Sequence, residues 1–173
     1  GKGWSYDPDK RAWLPMTDKP TPVSSIQAAV LDGKIWVPGG ENNGQVSNTL
    51  EAFDPQTNTW SKQAAMPEAR SGYSIAAIDG RLYVFGGWDG TQARNETFVY
   101  DPGANSWAKA APMPTARAYT AAASVDGKVY VLGGENSSGV LNINEVFTPA
   151  LASTGKWDVG APMGIARSRF SSV

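Results

Sequence analysis

An all-β fold of repeated four-stranded units is what the sequence predicts, and three observations predict it. Asp-Gly pairs recur every 47 residues, at Asp32-Gly33, Asp79-Gly80 and Asp126-Gly127. Gly-Gly pairs recur at the same interval, at Gly39-Gly40, Gly86-Gly87 and Gly133-Gly134. Between them lie short apolar runs with no helical periodicity. A fixed period of this length marks a repeated supersecondary unit. An Asp-Gly pair between apolar runs marks a hairpin whose type I′ turn needs φ > 0 at both central residues.

The stretch 78–90, IDGRLYVFGGWDG, is the clearest copy. Leu82, Val84 and Phe85 give it the β-branched and aromatic content of a strand packed on both faces. Gly86-Gly87 ends the run, where another backbone can come close without meeting a Cβ.

Taken in order, residues 1–15 carry a strand ending at Tyr6-Asp7-Pro8, a turn at Asp9-Lys10, and a second strand from Ala12. These positions recur: Tyr6, Phe53, Tyr100 and Phe147 step by 47, as do Trp13, Trp60 and Trp107, with Trp157 following 50 later. The opening segment therefore reads as the second half of a repeat. Residues 19–25 form a Pro-rich link. Strands are expected at 26–31, 34–37, 50–53 and 60–64, then at 73–78, 82–85, 97–100 and 107–109, then at 119–125, 129–132, 145–147 and 157–159. The turn 150–155 carries three extra residues, and residues 167–173 open a fourth unit.

Four strands per unit at this spacing suggest the blades of a β-propeller. First strands are rich in small residues (Ala28-Ala29, Ala76-Ala77, Ala121 to Ala123), as a crowded position near an axis requires. Fourth strands carry Lys62 or Lys109 beside their Trp, as an outer strand would. The expected divisions are a half-blade at 1–18, blades at 19–65, 66–112 and 113–162, and the first strand of a following blade at 163–173, or about 3.7 repeats.

Composition removes several functions. The chain has no cysteine and no histidine, which excludes Cys/His zinc sites, Cys nucleophiles, His-based triads and disulfides. A net charge of −1 without a basic run gives nucleic-acid binding no support. No apolar run approaches the ~18 residues of a membrane span, so no membrane insertion is expected. The first residue is Gly1, which suggests a processed chain or a fragment.

The Gly pairs, the Tyr/Phe-Asp-Pro strand ends, the spaced Trp residues and the linkers Met66-Pro67-Glu68-Ala69-Arg70 and Met113-Pro114-Thr115-Ala116-Arg117 together resemble the kelch repeat family. Met163-Gly164-Ile165-Ala166-Arg167 matches with Gly for Pro. The resemblance spans essentially the whole chain. The first unit departs from it, with Val23 in place of the linker Arg and Pro38 before its glycine pair; the third has Phe147-Thr148-Pro149 and lacks the Asp. Propellers close with about 4–8 blades. The expectation is thus a segment of a longer ring, a second copy completing the ring, or a small ring closed by the N-terminal strands.

The glycine pairs, Trp60, Trp107, Tyr100 and Phe53 read as framework. Arg70, Arg117 and Arg167 are either anion contacts or inter-blade clamps to backbone carbonyls, and their repetition favours the clamp. Function is expected in loops that differ between units. In kelch proteins the loops after the glycine pairs, and the residues after the linker Arg, surround one mouth of the channel and contact partners. Carried over, that face comprises Glu41, Asn43, Trp88, Asp89, Glu135 and Ser137, together with Ser71, Gly72, Ala118, Tyr119, Ser168 and Arg169. Trp88 stands out because its siblings are Glu41 and Glu135; with Tyr119 and Arg169 it would make an aromatic-cationic platform, or else it lies against its own loop.

The resemblance therefore implies a non-enzymatic scaffold for a protein partner, with no catalytic residue, no metal and no cofactor. The alternatives are a sugar-binding or epimerase-like propeller using Arg169 and Glu135, and a structural subunit joined through its blade edges. A copper-oxidase reading fails, since its His and Cys ligands do not exist here. Animal kelch adaptors usually add a dimerisation domain, and none is visible, so the expected setting leans to an exported or extracellular bacterial protein.

Overall fold

Each Asp-Gly pair turns as its chemistry requires. The φ angles are 51° and 72° at Asp32-Gly33, 52° and 70° at Asp79-Gly80, and 48° and 72° at Asp126-Gly127. The computed structural model describes residues 2–150 and 154–171, so the middle of the expected extra turn and the last two residues lie outside the described residues.

β1 (Gly3–Asp7) and β2 (Ala12–Met16) form a hairpin. The first full unit supplies β3 (Ala29–Leu31), β4 (Lys34–Pro38), a small pair β5 (Glu41–Asn42) and β6 (Gln45–Val46), then β7 (Leu50–Asp54) and β8 (Thr59–Gln63). The second supplies β9 (Ser74–Ile78), β10 (Arg81–Trp88), β11 (Ala93–Asp101) and β12 (Ser106–Ala110). The third supplies β13 (Ala121–Val125), β14 (Lys128–Leu132), the small pair β15 (Glu135–Asn136) and β16 (Gly139–Val140), β17 (Asn144–Thr148) and β18 (Lys156–Val159). Three four-stranded antiparallel sheets result, ordered β3-β4-β7-β8, β9-β10-β11-β12 and β13-β14-β17-β18. They are blades of a β-propeller.

Strand alternation builds the core between blades. Along β10, Leu82 and Val84 point to the first blade, joining Trp36, Leu50 and Tyr100. Tyr83 and Phe85 point the other way, joining Val129, Val131 and Phe147. A strand apolar at every position is what a sheet buried on both faces needs. Aromatic pairs bridge the two interfaces at the same spacing, Trp36 with Tyr100 and Tyr83 with Phe147, each at 5.4 Å between centroids.

Framework hydrogen bonds repeat with the sequence. The indole Nε1 of Trp60, Trp107 and Trp157 donates to the carbonyl of Thr17, Ala64 and Ala111 at 2.9, 2.8 and 2.8 Å. The amides of Asn48, Asn95 and Asn142 donate to the carbonyls of Met66, Met113 and Met163. The glycine pairs sit where the next linker crosses: Gly87 N–H donates to the Arg117 carbonyl at 3.1 Å, and a Cβ on Gly86 would fall 2.6 Å from that same oxygen.

Several expectations are corrected. The first strands begin one to three residues late, at Ala29, Ser74 and Ala121, because the preceding residues turn at the mouth. The second blade has longer strands than expected: β10 and β11 continue past Phe85 through a register shift at the glycine pair. The linker arginines clamp within the following unit. Arg117 is fully buried and donates to the carbonyls of Gly133 and Val131 at 2.7 and 3.1 Å and to Glu145 at 2.9 Å. Arg70 donates to the Ala69 carbonyl and to Glu68 and Glu96, while Arg167 is exposed. Where Val23 replaces the arginine, Lys19 supplies the cation, pairing with buried Glu51. The N-terminal strands do not close the last blade: among the described residues β1 and β2 pair only with each other, and the hairpin lies beside the first blade through Thr17 and Asn58.

Candidate functional site

Two steps of backbone follow each linker position, and together they shape the mouth. First comes an antiparallel bridge to the residue after the glycine pair: Ser24 with Glu41, Ser71 with Trp88, Ala118 with Glu135. Then comes a left-handed residue, with φ of 55° at Ser25, 57° at Gly72, 55° at Tyr119 and 58° at Arg169. These four are joined in series. Gly72 N–H donates to the Ser25 carbonyl at 2.7 Å, Tyr119 N–H to the Gly72 carbonyl at 2.5 Å, and Arg169 N–H to the Tyr119 carbonyl at 3.0 Å. One residue per blade is thereby held at the axial opening.

Along this series lies a cavity of about 840 Å³, lined by Ser25, Gln27, Tyr73, Ile75, Tyr119 and Phe170 among others. Outside it, between the loops after β10 and β14, runs a groove of about 640 Å³. The groove gathers Trp88, Tyr119, Glu135, Ser137 and Arg169, with Thr91 and Gln92 on one wall. Arg169 and Tyr119 line both spaces.

Arg169 is the charged centre. Its guanidinium carbon stands 3.7 Å from the Tyr119 ring centroid, and its Nη2 donates to Glu135 Oε1 at 2.9 Å. Burial opposes the charge, but the Glu135 hydrogen bond and charge, with Tyr119, together outweigh it and hold the guanidinium above its ordinary pKa. The side chain remains 60% exposed.

The remaining expected residues fall elsewhere. Glu41 and Asn43 occupy the matching loop of the first blade and do not line the groove. Asp89 caps its own loop: Oδ1 accepts from the N–H and hydroxyl of Thr91, both at 2.7 Å, and from the Gln92 N–H at 2.9 Å. Burial works against its charge, but the Gln92 and Thr91 hydrogen bonds and the nearby Arg94 outweigh it and hold the pKa at about 2. Ser71 and Ala118 are buried, so their side chains present nothing at the surface; their backbones make the bridges. Ser168 is half-buried. Sequence reasoning missed Ser25, Gln27 and Tyr73, although the 47-residue step from Tyr119 through Gly72 leads directly to Ser25.

Comparison with known proteins agrees with this architecture. The KLHDC2/KLHL20/DRC7 Kelch-repeats domain matches residues 2–172. The chain belongs to the kelch-repeat family. A search of curated proteins gave no match. Among solved structures, that of YjhT superposes with a TM-score of 0.81 at 20% identity, covering 96% of this chain. The chain spans 60% of the length of that structure.

Proposed function

We propose that this chain is a protein-interaction scaffold whose partner seats in the groove between Trp88 and the Arg169–Glu135 pair. The observation that carries the reading is that five residues from the loops after the glycine pairs and after the linkers meet in one space: Trp88, Tyr119, Glu135, Ser137 and Arg169. Trp, Tyr and Arg are the residues that dominate binding hot spots. The groove is held by backbone bridges and by the Asp89 cap, so little entropy is lost in ordering it. The partner's contribution would be an apolar side chain against Trp88 and hydrogen-bond acceptors for the free N–H groups of Arg169. The test is a peptide selected from a display library against the folded chain. W88A and R169A should each weaken its affinity by about tenfold or more, while thermal stability is kept. Unchanged affinity in both variants would refute the assignment of this face.

A second reading is favoured by one feature. Arg169 and Glu135 place a cation and a carboxylate 2.9 Å apart beside an open cavity, a pairing that a sugar-binding or epimerase-like site would use. Calorimetry with a panel of sugars decides it: millimolar or tighter binding of one sugar, lost in E135Q, supports this reading, and no heat from any sugar removes it.

A further inference from the structure

We propose that Gly72 is a positioning residue, a glycine demanded by the ring of Tyr119, on which the orientation of Arg169 depends. The backbone alone does not call for glycine at this point. Ser25, Tyr119 and Arg169 hold the same left-handed conformation, within 3° of Gly72, in the other units. Space does call for it. A Cβ on Gly72 would fall 2.7 Å from Tyr119 Cε1 and 2.8 Å from Cδ1, closer than real carbon contacts come. The Tyr119 ring thus lies directly on the Gly72 backbone, and its ortho and meta carbons fill the volume a side chain would take.

The same ring carries the Arg169 guanidinium, its carbon 3.7 Å from the ring centroid, and Glu135 fixes that guanidinium at 2.9 Å. Gly72, Tyr119, Arg169 and Glu135 are thus in successive contact. The backbone series from Gly72 through Tyr119 to Arg169 locks the spacing of the first three. Any side chain at position 72 lifts the ring, and a lifted ring leaves Arg169 without its π-face. The consequence for binding rests on the reading of this groove as the partner face. The stack itself does not, and it is measured without a partner.

A double-mutant cycle tests it. If Tyr119's ring is the reason for the glycine, G72A should lower Tm by about 5 °C in the parent chain but by no more than about 2 °C in the Y119A chain, where only the left-handed step remains. Equal losses in both backgrounds would overturn the proposal, as would failure to fold in both; folding of G72A/Y119A where G72A alone fails would support it. A second readout separates positioning from bulk stability. The Arg169 Hδ and Hε resonances should be shifted upfield by the ring in the parent and in Y119F, and that shift should vanish alike in G72A and Y119A. A G72A chain that folds and keeps the parent Arg169 shifts would contradict it.

Discussion

Arg117 and Glu145 form an ion pair at 2.9 Å in which both side chains are excluded from solvent. Burial draws the Arg117 guanidinium below its ordinary pKa, and the neighbouring Glu145 charge and hydrogen bond only partly restore it. The Gly133 and Val131 carbonyls and the Thr115 hydroxyl add hydrogen bonds around the pair, while the buried Arg117 Nε finds no partner among the described residues. Removing one partner leaves the other charge buried and alone. R117A should therefore destabilise the chain by about 3–5 kcal/mol in urea denaturation, and R117M/E145L by clearly less than R117A. R70A should cost less than R117A, since Glu68 and Glu96 stay partly exposed and can be solvated once the cation is gone.

Gly86 and Gly127 have φ angles of 57° and 72°, yet they differ in what surrounds them. Nothing lies within 4 Å of a Cβ on Gly127, whereas one on Gly86 would press the carbonyls of Arg117 and Arg94 at 2.6 and 2.9 Å. G127A should cost about 1 kcal/mol, the left-handed penalty alone. G86A should cost at least about 2 kcal/mol more, because the linker backbone has to move. Urea midpoints of the two variants check the ordering, and equal losses would mean the glycine pair serves only its dihedral angle.

Asp89 gives a pH signature to the loop behind Trp88. Its folded pKa of about 2 lies below the ordinary 3.8, so the charged form is the one the fold favours. Such a group contributes stability above the unfolded value, and that contribution is lost as pH falls through the folded one. The stability difference between the parent and D89N should thus be constant near neutral pH and shrink from about pH 4 toward pH 2. Denaturant midpoints across that range, with Trp88 fluorescence as the local probe, measure it. A difference that stays level down to pH 2 would show that the cap carries no charge-dependent stabilisation.

What the sequence made legible was whatever repeats. Asp32-Gly33, Asp79-Gly80 and Asp126-Gly127 announced their turns because each needs an unusual backbone that few residue pairs supply. The pairs β5/β6 and β15/β16 stayed hidden, since strands of two residues have no alternation to read. Ser71 looked available because it follows Arg70 in a polar linker; only the bridge to Trp88 reveals that it is buried. Lys19 in the role of the missing arginine was equally hidden, because it reaches Glu51 from four residues upstream of Val23. At the mouth, Trp88 could be chosen by its departure from Glu41 and Glu135, and Tyr119 and Arg169 by their place just after the linker arginines. That the Tyr119 ring touches both Gly72 and Arg169 is a relation among residues 47 and 50 apart, and no local pattern encodes it.

The outer faces carry a prediction about association. Trp4, Tyr6 and Trp13 are each more than half exposed on the β1–β2 hairpin, and Val159 on the third blade and Ile165 in the linker after it are exposed. Tyr6 and Trp13 hold the repeat positions that Tyr100 and Trp107 use to pack against a preceding blade. A protein of these 173 residues should self-associate, with apparent mass rising over micromolar concentrations in sedimentation velocity, and W13E should reduce it. A single monomeric species across that range would contradict this.

The most direct test of the partner face is chemical-shift mapping on the isotope-labelled chain, titrated with a display-selected peptide. The account predicts that the largest changes fall on the Trp88 indole, Tyr119, Glu135, Ser137 and Arg169, leaving Trp13, Trp60 and Trp157 unmoved. Changes confined to those outer-strand tryptophans, with the mouth silent, would contradict it.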